Sequence, residues 1–489
     1  MWKKILNLAQ VLPLALAAAC ASTSLDPFNG NGDGGLGGGG GGKDGGTGKP
    51  GCVGRQCQVN YSCPAGSKTT LTGRVTIPAG TLPLYNANVY IPSAEVAPPP
   101  SSGPSCDRCE QIVPLDVAAK TTTDVDGTFT LTDVPSGKDI PLVIRVGKWR
   151  RVITIPSITD CTSTAIDTAM TRLPRNRSEG NIPKIALSTG SQDALECLLR
   201  SNKLGLDDSE FTQPAAGGRV NLYAGGQRFN GTAGTDAFDQ SLNGGAPFPS
   251  SNPWWNDVNN WNQYDIVLLS CEGAQNAGFK SPAAHAALES FVNNGGRVFA
   301  SHWHNIWISG ATPASGVPTV ASFLSTGGFQ DDSGNPVTAI INQSFDKGKS
   351  LAQWLVNANP QGAIKLGELP IKYSRVTLRS RNAALTTNWA DFTDPMAAQN
   401  MVAAPASQYF SFNAPVGAAA GQQCGQMVFT DMHVSGSGNA NGDTSRPTSA
   451  GANATPFPTG CKSPALSPQE QALIFLLFDL TNCITVPIG

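Results

Sequence analysis

The sequence predicts a multidomain protein, a small all-β sandwich followed by an α/β domain. Three observations lead there. At 489 residues the chain is long enough for about three domains at roughly 150 residues each. Between Leu71 and Ile155, short alternating strands are separated by turn residues, the grammar of half-buried antiparallel strands. From Asn181 onward, apolar strands alternate with helical segments, the grammar of an open sheet covered by helices.

The composition narrows the class further. Charged residues make up 14% of the chain and the net charge is -2, so no basic stripe is available to displace counterions from a nucleic acid. Twelve cysteines fit an oxidising compartment better than the cytosol.

The N-terminus reads as an address. Met1-Trp2-Lys3-Lys4 is positive, and the apolar run Ile5 to Ala19 is shorter than the roughly 20 residues needed to span a bilayer, so residues 1–19 read as a signal peptide. Leu16-Ala17-Ala18-Ala19-Cys20 resembles a bacterial lipobox, which implies lipidation at Cys20. The competing reading is ordinary cleavage after the A-x-A of Ala17 and Ala19. Ala21 and Ser22 in place of an aspartate imply, by resemblance to Gram-negative lipoproteins, an outer-membrane address with the membrane as partner. From Gly30 to Gly51 there are 14 glycines in 22 residues. Such a stretch buries no apolar area and is expected to act as a tether. The lipidated end and linker therefore cover 20–57.

Residues 58–172 form the expected β-sandwich. Leu71-Thr72-Gly73-Arg74-Val75, Asn86 to Pro92, Thr123 to Phe129 and Val134 to Gly137 resemble the carboxypeptidase regulatory-like domain, a transthyretin-like sandwich, which implies a non-catalytic accessory module. Asp124-Val125-Asp126-Gly127 reads as a turn rather than a calcium loop, because the further oxygens of such a loop are missing downstream. An insertion, Ala94 to Asp116, carries Cys106-Asp107-Arg108-Cys109. In a Pro-rich exported loop this pair is expected in disulfides, with each other or with Cys52, Cys57, Cys63 or Cys161.

Residues 181–489 form the expected α/β domain. Lys184 to Ser188, Arg219 to Tyr223, Asp265 to Ser270 and Arg297 to Ser301 read as strands, nearly all apolar as parallel strands covered on both faces are. Gln192 to Asn202 and Ser281 to Val292 read as helices, and Pro468 to Leu480 as a buried terminal helix. Tyr264 to Gly273, Gly295 to His302 and Gly425 to His433 resemble the class I glutamine amidotransferase-like (flavodoxin-like) fold, in particular its ThuA-like branch. The resemblance implies a nucleophilic cysteine on a strand–helix elbow and a late His-x-Glu. Here the elbow position carries His302 and the late motif reads His433-Val434-Ser435, so glutamine hydrolysis is not expected.

The candidate site follows from strand ends, where open α/β sheets bind ligands. His302 and His304 are two apart, as are Asp431 and His433, and residues i and i+2 of a strand share a face. His302, His304, His433 and Asp431 would together suit a divalent metal such as zinc. Catalytic roles would fall to His302, His433 and Glu272. The plain alternative is a set of hydrogen-bonded polar residues closing a crevice. Cys271 at a strand end invites a nucleophile reading, but a disulfide with Cys197 is the stronger expectation. His285, among alanines on its helix, is expected to be exposed. Trp254, Trp255 and Trp261 are expected as buried loop anchors or, alternatively, as a saccharide-stacking surface. Cys424, Cys461 and Cys483 are candidates to pin the polar loop Ser435 to Gly460. The function expected is binding or interaction in the envelope, with a saccharide or an envelope protein as ligand. A metal-dependent hydrolase or sugar-modifying enzyme at the His302/His304/His433 crevice is the alternative.

Overall fold

The computed structural model of the chain describes residues 51–190, 192–193, 195–225, 248–309, 319–330, 335–360, 362–393, 405–434 and 466–484, all within one compact unit. The signal segment, Cys20, most of the glycine tether, Ser435, the 435–460 loop and Cys461 lie outside the described residues. No helix among the described residues is long and apolar enough to cross a membrane.

The N-terminal part is all β. Strands β1 (Thr70–Arg74), β2 (Asn88–Pro92), β3 (Val117–Thr122), β4 (Thr128–Thr132), β5 (Gly137–Val146), β6 (Trp149–Ile158) and β7 (Ser163–Ala165) make two sheets, ordered β4-β1-β7 and β3-β2-β5-β6. Alternation sets which face is buried: β4 reads exposed–buried throughout, with Phe129 and Leu131 inward. The Asp124–Gly127 segment is a turn. Gly127 has φ 79, and Asp126 accepts from the backbone and hydroxyl of Thr128 at 2.9 and 2.6 Å.

The second part is built on one ten-stranded sheet. Its parallel core comprises β8 (Ile185–Ser188), β9 (Phe211–Thr212), β10 (Val220–Tyr223), β11 (Ile266–Leu269) and β12 (Arg297–Ser301). Two short two-stranded antiparallel sheets lie apart from it, β13 (Ala321–Phe323) with β18 (Leu378–Arg381) and β14 (Phe329–Gln330) with β17 (Arg375–Val376). The remaining sheet strands are β15 (Val337–Ile341), β16 (Glu368–Ile371), β19 (Thr387–Phe392), β20 (Ala406–Ala414) and β21 (Gly425–Thr430). The order is β16-β15-β19-β20-β21-β12-β11-β8-β10-β9. From β21 to β9 all neighbours are parallel, and from β16 to β21 all are antiparallel. The chain leaves β8 for β10 on one side and β11 on the other, so the direction of winding reverses at β8. Helices α1 (Leu195–Leu199), α2 (Pro282–Asn293), α3 (Asp346–Ala358) and α4 (Pro468–Thr481) flank the sheet.

Helix α4 explains how the two parts meet. Its start is fixed by a capping box, Ser467 with Glu470, and Pro468 in the first turn. It is apolar on every side because it is covered on every side. Phe475 stacks on Tyr85 and Phe478 packs against Trp149 of the β part, while Trp354 of α3 donates its indole N–H to the Pro83 carbonyl at 2.9 Å. Apolar residues of both parts accordingly share one core. A buried ion pair, Lys148 Nζ to Asp265 Oδ1 at 2.7 Å, crosses the same boundary.

Disulfides complete the joint, and they correct the expected pairings. Cys106 bonds Cys424 and Cys109 bonds Cys483, which clips the Pro-rich insertion to the far end of the chain. Cys424 and Cys483 therefore do not pin the 435–460 loop. Cys52 bonds Cys57 and Cys63 bonds Cys161. Cys271 is a free, buried thiol. Cys197 is oxidised, but its partner is none of the described cysteines, so the expected Cys197–Cys271 bridge is absent.

Candidate functional site

The carboxyl ends of β8, β11, β12 and β21 converge, as the winding reversal at β8 requires. Glycine permits the approach of the first two: a Cβ on Gly190 would meet the carbonyls of Ser270 and Cys271. Cys271 and Glu272 follow β11, His302 follows β12, and Asp431 and His433 follow β21.

Strand β12 stops at Ser301, earlier than the His302/His304 spacing suggested. His302 turns back with φ 44, a left-handed conformation unusual for a side chain with a Cβ, and His302–Asn305 forms a single tight turn. The two histidines therefore do not share a strand face. His304 accepts the Trp307 indole N–H at Nδ1, 2.9 Å, and its Nε2 lies 2.9 Å from the Ser270 carbonyl. With one nitrogen accepting and the other donating, it is a neutral structural imidazole with no lone pair to offer a metal, which removes it from the expected ligand set. Burial pushes its pKa down to about 4.

His302 goes the other way. Its Nδ1 lies 3.4 Å from Cys271 Sγ, its ring centroid is 5.1 Å from that of His433, and its Nε2 is 4.0 Å from Asp431 Oδ1. One ligand atom each from Cys271, His302 and His433 falls within 4.8 Å of the others. Burial, reinforced by His433 and Arg375, holds the His302 pKa well below its ordinary value. Burial also pushes the Cys271 thiol up to about 12, against backbone hydrogen bonds from Trp303 and Gly273. Thiol and imidazole are thus a neutral pair at pH 7, unlike the thiolate–imidazolium pair of a cysteine nucleophile.

The carboxylates act as supports. Asp431 accepts from the Thr377 backbone N–H at 2.9 Å and the Thr377 hydroxyl at 3.0 Å; burial pushes its pKa up to about 7, with those bonds pulling down. Glu272, expected as a base, is tied into a buried pair with Lys280 at 2.6 Å and accepts from Asn276 at 2.9 Å, while its Oε1 lies 3.7 Å from His304. Burial raises its pKa, but Lys280, His304 and Asn276 outweigh that and hold it below the usual value. Asp193, unremarked in the sequence, ties two strand ends together. It accepts from Ser301 Oγ at 2.6 Å and from the Val434 N–H at 2.9 Å. Its only signal was its place three residues beyond the Gly190 turn.

Two further expectations are settled by burial. Trp254, Trp255 and Trp261 are inside, with Trp261 donating to the Trp255 carbonyl at 2.9 Å, so they anchor the loop and present no stacking surface. His285 is half-buried against Trp307, with ring centroids 5.1 Å apart, rather than exposed.

A separate groove of about 600 Å³ opens along β19, β20 and β21 beside the ends of α3 and α4. Asn413, Gln423 and Gln426 line it with Phe345 and the 383–387 turn. Gln426 donates to Asn413 Oδ1 at 3.2 Å and Gln423 to the Ala418 carbonyl at 3.1 Å, which fixes the amides in place. Among the described lining residues the two charged ones, Lys347 and Asp479, neutralise each other at 2.6 Å.

No protein-family model matches the chain, and no curated protein matches it. Among solved structures it has a weak likeness to a ThuA-like protein from Bacteroides uniformis, with 10% identity and a TM-score of 0.23, over 38% of this chain and 68% of that one. A type II cohesin–X-dockerin complex from Acetivibrio cellulolyticus gives 16% identity and a TM-score of 0.15, over 26% of this chain and 79% of that one. A 9R-lipoxygenase from Cyanothece gives 18% identity and 0.12. Likenesses this slight say nothing about function.

Proposed function

We propose that this is an exported binding protein of the cell envelope, held to the outer membrane through a lipid on Cys20 and displayed on its glycine tether. Its ligand is an uncharged saccharide segment, and the groove beside β20 is where it sits. The observation that carries this reading is the groove itself: about 600 Å³, lined by fixed amides, with the two charges among its described lining residues, Lys347 and Asp479, paired off. Amide side chains exchange hydrogen bonds with hydroxyls in both directions, and a site without net charge gives no advantage to anionic or cationic chains. The half-buried Phe345 offers an apolar edge of the kind sugar rings pack against.

Hydrolysis at the strand ends is the weaker reading. His302 and His433 are each 2% exposed and Cys271 is 0% exposed, so no reacting atom is within reach of a substrate, and Glu272 is committed to Lys280.

The test is a screen of the purified full chain against neutral and charged oligosaccharides. Neutral chains are expected to bind. Asn413→Ala and Gln426→Ala are each expected to weaken binding about 3- to 10-fold, the worth of one hydrogen bond of roughly 0.5–1.5 kcal/mol. Equal retention of charged chains, or unchanged affinity in both variants, would overturn the reading.

A further inference from the structure

We infer that Cys271, His302 and His433 form a binding site for a thiophilic divalent cation, zinc being the ordinary occupant, with Asp431 as the carboxylate that orients His302. The inference is independent of the groove. Three residues separated widely in sequence arrive at one point only because β11, β12 and β21 are consecutive in the sheet. Their ligand atoms lie within 4.8 Å of one another. In tetrahedral zinc, a metal–sulfur bond of about 2.3 Å and a metal–nitrogen bond of about 2.05 Å place the two ligand atoms about 3.6 Å apart. The 3.4 Å between Cys271 Sγ and His302 Nδ1 is already close to that.

A thiol–imidazole hydrogen bond alone would account for that one distance. It accounts neither for the second imidazole nor for the other face of the His302 ring. Nε2 of His302 is buried with no hydrogen-bond partner among the described residues, 4.0 Å from Asp431 Oδ1. Metal at Nδ1 places the ring proton on Nε2, facing that carboxylate. Metal-bound histidines are usually held in this way by a carboxylate on the second nitrogen. Asp431 is itself immobilised by two hydrogen bonds from Thr377, so it is a positioning residue. The fourth position of the ion is left to water. Loading breaks the Cys271 S–H bond, forms a sulfur–metal bond and releases the proton to solvent; no electron is transferred. One thiolate and two imidazoles favour zinc, and cobalt(II) as its spectroscopic substitute, over the oxygen-seeking magnesium and calcium.

The test uses the full chain, purified from an oxidising compartment without chelator or histidine tag, and loaded with zinc or cobalt(II). Near-stoichiometric metal is expected by elemental analysis, together with a thiolate-to-cobalt charge-transfer band and tetrahedral d–d bands. Cys271→Ser is expected to abolish the charge-transfer band, with Cys271→Ala giving the same reading if the serine variant does not fold. Asp431→Asn should bind metal about 10- to 100-fold more weakly, and His285→Ala should bind it as the parent does. A folded parent protein that takes up no metal overturns the site. So does a charge-transfer band that survives the loss of Cys271.

Discussion

At the scale of single residues, the strand ends show how neighbours decide what a side chain can do. His302 and His304 are two positions apart, yet one offers its ring to a thiol and the other spends both nitrogens on Trp307 and Ser270. The Glu272–Lys280 pair is fully buried, so each charge depends on the other. Glu272→Gln leaves the Lys280 ammonium uncompensated and is expected to cost about 3–5 kcal/mol in urea unfolding, whereas replacing both partners by apolar residues of similar volume should cost far less. Equal losses in the single and double variants would contradict this account. His302, His433 and Asp431 were legible in the sequence as polar residues at the ends of apolar runs. The free thiol of Cys271 was not legible, because twelve cysteines read as a disulfide-bonded set and nothing local reveals that Cys197 is bonded elsewhere.

At the scale of elements, the parallel core was readable because strands covered on both faces become unbroken apolar runs: Ile266–Leu269 is buried at every position. The antiparallel half was not. Its strands are separated by long connections, and the β19–β20 pairing shifts register between Asn388 and Asp391, which blurs the two-residue period. The turn after β12 was missed because an H-x-H spacing looks like a continuing strand, whereas the backbone reverses at His302 with φ 44. A side chain with a Cβ pays roughly 1–2 kcal/mol there and glycine does not. In metal-free protein, His302→Gly should therefore be about 1 kcal/mol more stable than His302→Ala. Equal stability would mean that the elbow relaxes once the imidazole is gone.

At the scale of the whole molecule, the β part and the α/β part are one object. They share a core, a buried Lys148–Asp265 pair and two disulfides with separations of 318 and 374 residues. No sequence pattern could have given those partners, since proximity across hundreds of residues is created by the fold. Closing such long loops restricts the unfolded chain strongly. Removing Cys106–Cys424 or Cys109–Cys483 by paired Cys→Ala substitution should cost about 2–4 kcal/mol each, read as a lower midpoint in denaturant. No change would show that the shared core alone holds the parts together. The joined body presents an open groove whose described charges are paired on one flank and a closed Cys–His–His cluster at its strand ends, and the proposed function assigns ligand binding to the first.

Hydrogen exchange of the full chain, with and without a saturating neutral oligosaccharide from the screen, tests that assignment most directly. The account predicts slowed exchange at 383–387, 411–418 and 423–426, with the backbone around Cys271, His302 and His433 unchanged. Protection centred on the strand ends instead, with the groove unaffected, would contradict it and return the function to the His302 crevice.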